Sequence, residues 1–236
     1  MSLPTLEILS VSAVAVGLRH AVAKFQKETG IQCKVHYQTS TQMRGSNWQT
    51  LPCDLVITSQ ALALERSALG NLVPRSRIEL GGVGVGIVVH QSVTFMNPQN
   101  TSEFINLLEL ANTVVYNQAS SGLYFESLFQ KLGVLSMVEE KAVRVIDGEA
   151  LLRTIAQPPQ DEKLEIGLGA VSEILEVQGW GIKLAAELPQ EIQHVTTYEA
   201  LAASHSANKL EVQAFLRSLE DPEIKAVFTA SGVRPQ

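Results

Sequence analysis

The chain has 236 residues, 45% hydrophobic and 18% charged, with a net charge of −6. That is the balance of a globular protein with enough chain for one large domain or two small ones. The acidic balance excludes nucleic acid or an anionic membrane held by bulk charge, and no apolar run approaches the ~18 residues that span a bilayer.

The first strand is expected to begin within the opening residues, so a leader is not expected in this stretch. Met1-Ser2-Leu3 reads either as a native cytoplasmic start or as a scar over a removed signal. Leu6, Ile8 and Leu9 form a short apolar run of strand length, and Ser10-Val11-Ser12-Ala13 leaves the sheet. Leu18, Val22 and Phe25 recur at the spacing of one helix face, and Gly30 supplies a left-handed cap. Such a unit sets hydroxyls and free helix N–H groups at the carboxyl end of a strand, where open α/β sheets bind ligands and anions.

Cys33, Val35 and Tyr37 alternate with polar residues as a half-buried strand, which ends in the hydroxyl cluster Thr39-Ser40-Thr41. Gly45, Asn47 and Pro52 keep any following helix short. Asp54–Thr58 predicts a third strand, followed by a helix over 60–69 with Ser59 as cap and Gly70 beyond it. The run Val83–Val89 carries glycines in a GxGxG pattern and leads into strand, not helix. It therefore lacks the GxGxxG dinucleotide fingerprint and predicts a bend or a close backbone approach instead.

Asn100 and Glu103 have capping-box spacing before an apolar helix. Thr113–Tyr116 reads as a strand, followed by Ala119-Ser120-Ser121-Gly122 and a helix that stops at Gly133. Val143–Ile146 is a further strand, and Asp147 caps a helix that ends before Pro158-Pro159. Leu164–Leu168 leads to the turn Gly169-Ala170-Val171-Ser172-Glu173. Trp180–Leu188 and Val195–Ala203 read as strands, the latter carrying Tyr198. Two helices close the chain, one over Leu210–Leu219 and one opened by Asp221-Pro222.

Cys33 and Cys53 are read as small buried hydrophobes, since neither CxxC nor a Cys/His cluster is present. The five histidines show no metal spacing, and Arg44 is read as a surface arginine. No GxSxG elbow, P-loop or acid/base constellation points to an enzyme, and no cofactor is expected.

The segments ILSVSAV, CDLVITS, VPRSRIELGGVGVGIVV, SSGLYFESLFQKLG, VSEIL, LPQEIQHVTTYEALAA and DPEIKAVFTASGV, in this order, cover nearly the whole chain. Together they resemble the molybdate-binding-like members of the type II periplasmic solute-binding proteins that serve ABC transporters. The resemblance implies a two-domain α/β clamshell, each domain a mostly parallel sheet flanked by helices, joined by two crossover strands. The domains it implies are 1–85 plus 200–236 and 86–199, with hinges near 87–90 and 198–202. It implies capture of a small oxyanion such as molybdate or tungstate between the domains, by Ser10, Ser12 and Ala13, Thr39, Ser40 and Thr41, Ser120, Ser121 and Gly122, Gly169 and Ala170 (with Ser172 close by), and Tyr198. Ala13 stands where molybdate binders have serine. A monomeric, non-enzymatic, periplasmic receptor for an ABC transporter permease follows from the resemblance, without nucleic acid or membrane insertion. The lack of a leader favours the alternative, a cytoplasmic orphan or sensor of the same fold with a different ligand.

Overall fold

The computed structural model describes residues 5–48, 50–159, 163–206 and 208–236, so Met1-Ser2-Leu3 lies outside the described residues. In chain order the elements are β1 (Thr5–Ser10), α1 (Ala15–Thr29), β2 (Gln32–Tyr37), α2 (Ser40–Gly45), β3 (Leu55–Ser59), α3 (Gln60–Ala68) and β4 (Ile78–His90). There follow α4 (Thr101–Leu110), β5 (Thr113–Asn117), α5 (Ser120–Leu132), α6 (Leu135–Glu139), β6 (Ala142–Val145) and α7 (Gly148–Ile155). The chain ends with β7 (Glu165–Ala170), α8 (Val171–Glu176), β8 (Ile182–Glu187), β9 (Val195–Ala202), α9 (Lys209–Ser218) and α10 (Pro222–Ala230).

The chain divides into two compact units, Met1–Val83 with Thr196–Gln236, and Gly84–Val195. Strands β4 and β9 carry the chain from one to the other.

In the first unit β1 pairs in parallel with both β2 and β3, and β9 runs antiparallel along β3. Leu6, Ile8, Leu55 and Ile57 are buried on these strands. Helix α1 buries Leu18, Ala21 and Phe25, while Val22 stands at the edge of that face and is only partly covered. Phe25 meets Phe215 of α9 edge to face with ring centroids 5.1 Å apart, an arrangement that suits the aromatic quadrupole. Gly17 admits α10 closely, since a Cβ there would lie 2.2 Å from the Phe228 ring. The Lys24 ammonium donates to Asp221 Oδ2 (3.0 Å) and Glu223 Oε2 (2.6 Å), fastening α1 to the start of α10. These two carboxylates raise the lysine's pKa, and the lysine lowers theirs.

In the second unit β5 pairs in parallel with β6 and β7, β7 antiparallel with β4, and β4 antiparallel with β8. Alternation along the strands fills two layers. Val85, Ile87 and Val89 of β4, with Val114 and Tyr116 of β5, pack against Phe104, Phe125 and Phe129. Val88 and Val115 face the other way, onto Leu151, Leu152 and Ile155 of α7.

The glycine-rich strand is explained by its neighbours. At Gly86 a Cβ would sit 2.9 Å from the Ala186 carbonyl oxygen, beside the register shift between Ile87 and Val88. Gln193 brackets the backbone of Val85, accepting from its N–H (2.8 Å) and donating to its carbonyl (3.1 Å). Strand β4 is longer than the apolar run predicted, and Trp180 lies in a short 3-10 turn before β8 instead of opening that strand. Predicted caps at Ser59, Asn100, Asp147 and Asp221 all accept backbone N–H groups.

Burial raises the thiols of Cys33 and Cys53 to about 11 and about 12, the latter helped by the neighbouring Asp54 charge. A free thiol titrates near 8.5, so as pH rises above it the unfolded chain ionises while the folded state holds both thiols neutral. Stability is therefore complete below about pH 8.5 and is lost as pH rises toward 11 and 12. Thermal melts at pH 8, 9 and 10 should show this loss. The slope should flatten when Cys33 and Cys53 are both replaced by alanine.

Candidate functional site

The carboxyl ends of the parallel strands in each unit collect hydroxyls and backbone N–H groups. In the first unit, Gln38 N donates to the Ser10 carbonyl (3.0 Å) and Val11 N to the Ile57 carbonyl (3.1 Å), which aligns the ends of β2, β1 and β3. Ser10 is fully buried and its hydroxyl donates to the Val11 carbonyl (3.0 Å). Ser12 and Ala13 form the 3-10 turn that opens α1, Ser12 exposed and Ala13 buried.

One strand over, Thr39 caps α2 through a full capping box: its hydroxyl accepts from Gln42 N (3.1 Å) and its own N–H donates to Gln42 Oε1 (2.8 Å). Ser40 is buried and Thr41 exposed in the first turn of the same helix. At the end of β3, Thr58 is fully buried and Ser59 caps α3. Tyr198, 6% exposed, lies opposite Ser59 in the β3–β9 register. The structure thus gathers Ser10, Ser12, Ala13, Thr39, Ser40 and Thr41 at the neighbouring ends of β1 and β2, with Tyr198 of β9 beside the end of β3, all in one unit.

In the second unit, Ser120, Ser121 and Gly122 start α5 behind Ala119, which makes no side-chain cap. Asn117 does that work from the end of β5. Its Oδ1, on a residue 1% exposed, accepts from Ala119 N (2.9 Å), Gly122 N (3.3 Å) and the Ser121 hydroxyl (3.4 Å). Gly169 and Ala170 end the adjacent strand β7, and both are buried. Ser172 follows at 4% exposure, its hydroxyl without a hydrogen-bond partner among the described residues. Glu173 turns away to lie against Gly148 at the start of α7, where a Cβ would meet its Oε2 at 2.1 Å.

None of these turns contains lysine or arginine. Arg44 is engaged with Glu65 at 3.0 Å, and His36 with Glu7 at 2.6 Å. Among the described residues no group of three or more His, Cys, Asp or Glu could hold a metal ion, and no helix is long and apolar enough to cross a membrane. Chemically, such turns can hold negative charge with neutral dipoles.

The model of the bacterial extracellular solute-binding protein family matches residues 6–234. The chain belongs to that family. Its fold is shared with the periplasmic molybdate-binding protein of Azotobacter vinelandii at a TM-score of 0.79 and 16% identity, covering 98% of this chain and all of that one. The sulfate-binding protein of Mycobacterium tuberculosis is similar at a TM-score of 0.76 and 14% identity, over 98% of this chain and 87% of that one. A curated relative, the aconitate isomerase of a Pseudomonas species, is 24% identical over 240 residues, 98% of this chain and 88% of its own. The two-domain α/β architecture of periplasmic binding proteins is therefore the fold of this family member too.

Two features of these strand ends escaped the sequence. Asn117 was legible only as the residue after the strand read over Thr113–Tyr116, whereas it ends β5. Glu199 is a charge inside the apolar alternation of YEALA, a signal that could have marked it, and it lies opposite Thr58 in the sheet.

Proposed function

We propose that the protein is a receptor that captures a small oxyanion through the strand-end turns of its two units and delivers it to an ABC transporter permease. It works as a monomer outside the cytoplasm, with β4 and β9 flexing near 87–90 and 198–202. The observation that carries this reading is the set of neutral donors at Ser10–Ala13, Thr39–Thr41, Ser120–Gly122 and Gly169–Ser172, together with the buried Ser172 hydroxyl, which has no partner among the described residues. Preorganised hydroxyls and helix-start N–H groups suit an oxyanion because they hold charge without a cationic side chain. The molybdate and sulfate named for the structural neighbours fit that chemistry.

A thermal-shift titration with molybdate, tungstate, sulfate, phosphate and small carboxylates tests it. A bound anion at ~100 times its dissociation constant adds about 2.7 kcal/mol, or roughly 5–10 °C for a chain of this size. Ser12→Ala and Ser172→Ala should each weaken binding about tenfold, the loss of roughly one hydrogen bond to a charged group, while the ligand-free melting temperature stays put. A flat response to every anion would reject the reading.

A second reading, turnover of a tricarboxylate, is favoured by the isomerase relative, which aligns with 98% of this chain. Proton NMR of cis- and trans-aconitate incubated with the protein decides it. Interconversion above the uncatalysed rate would establish an enzyme.

A further inference from the structure

At the end of β3, Thr58 and Glu199 face each other directly across the antiparallel β3–β9 pair, and residues so placed share one face of a sheet. They are 0% and 1% exposed. One carboxylate oxygen of Glu199 is well held: Oε1 accepts from Arg77 Nη2 at 2.5 Å and from Gln60 Nε2 at 2.7 Å. The other oxygen, Oε2, and the Thr58 hydroxyl have no hydrogen-bond partner among the described residues. A buried carboxylate oxygen without a donor is costly, and native structures seldom carry one without a use.

We propose that Glu199 Oε2 and Thr58 Oγ1 are an acceptor subsite for a hydroxyl carried by the ligand. The subsite rests on the oxyanion-receptor reading and narrows its substrate class. It selects anions that keep an O–H, such as hydrogen phosphate or a hydroxycarboxylate, over fully ionised molybdate, tungstate or sulfate.

The placement and the charge both argue for this. Thr58 precedes Ser59 at the same row of strand ends as Ser10 and Thr39, and Tyr198 adjoins Glu199. Arg77 balances the carboxylate, so the acceptor does not turn away an anion as a bare charge would. With Arg77 and Gln60 committed to Oε1, what Oε2 lacks is a donor, and a fully ionised oxyanion has none to give. Thr58 can accept from the same hydroxyl or donate to a ligand oxygen beside it. Discrimination on such a basis is large, because the wrong ligand leaves a buried acceptor unpaired.

Isothermal titration at pH 7 with phosphate, malate, sulfate and molybdate tests it on the wild type and on Glu199→Gln and Thr58→Val, each checked for an intact melt. The wild type should bind phosphate or malate at least tenfold more tightly than sulfate and molybdate. In Glu199→Gln, which can offer an N–H where Oε2 stood, that preference should fall at least tenfold, and Thr58→Val should reduce it more modestly. Wild-type binding of sulfate or molybdate as tight as phosphate and malate, or an unchanged preference in Glu199→Gln, would overturn the acceptor subsite and leave the oxyanion receptor standing. No binding of any of the four anions would overturn both. Should Glu199→Gln melt early, Thr58→Val, which keeps the Arg77 and Gln60 contacts, decides: an unchanged preference there counts against the subsite.

Discussion

Replacing Gly122 by alanine is expected to lower the ligand-free melting temperature by roughly 6–12 °C, the equivalent of about 3 kcal/mol for a chain of this length. A Cβ at this position would lie 1.5 Å from the backbone carbonyl oxygen of Asn117 and 2.5 Å from its carbonyl carbon. Neither is the free end of a side chain that could swing aside, so the start of α5 must move. Moving it breaks the bond from Gly122 N to Asn117 Oδ1 and strains the companion bond from Ala119 N. Calorimetry or circular dichroism reads the effect directly. Ser121→Ala is the control: it removes only the 3.4 Å contact to the same oxygen and should cost less than about 1 kcal/mol. A Gly122→Ala melt matching that of wild type would mean that the turn yields far more easily than close-packed interiors do.

Asp54→Ala is expected to cost about 3 kcal/mol, since three buried or part-buried donor groups lose a charged partner at once. Asp54 is 8% exposed at the entry to β3. Its Oδ2 accepts from Glu7 N (3.0 Å) and its Oδ1 from the Ser206 hydroxyl (2.6 Å), while Asn208 Nδ2 reaches both oxygens at 3.1 Å. Its backbone joins in, donating to the Glu7 carbonyl and accepting from Ala203 N. One side chain thus ties the beginning of the first unit to the segment that returns to it some 150 residues later. Urea unfolding should show the midpoint fall. Asp54→Asn should fall about half as far, because it keeps one acceptor oxygen while setting an amide donor against that of Asn208. A loss below 1 kcal/mol in Asp54→Ala would show that water replaces these bonds.

Much of the architecture was legible in the sequence. Period-2 and period-3.6 patterns located the strands and helices, and glycines at 30, 70 and 133 marked the helix ends, where the chain takes positive φ. Caps were legible because a serine, asparagine or aspartate acts on N–H groups two or three residues away. The hydroxyl clusters at Ser10–Ala13, Thr39–Thr41 and Ser120–Gly122 were likewise visible as local runs. Their double use was not. Thr39 spends its hydroxyl on Gln42, and Gly122 is glycine because Asn117 lies against it.

By itself the sequence determined the local elements, their ends and the character of the strand-end turns, because those depend on side chains within a few positions of each other. Only the tertiary structure decided which turns share a unit, that Asp54 holds Ser206 and Asn208, and that Thr58 lies opposite Glu199, whose Oε2 has no partner among the described residues. Such pairings join residues more than a hundred positions apart. They are set by strand register and by the closing of a discontinuous unit, and no local propensity encodes either.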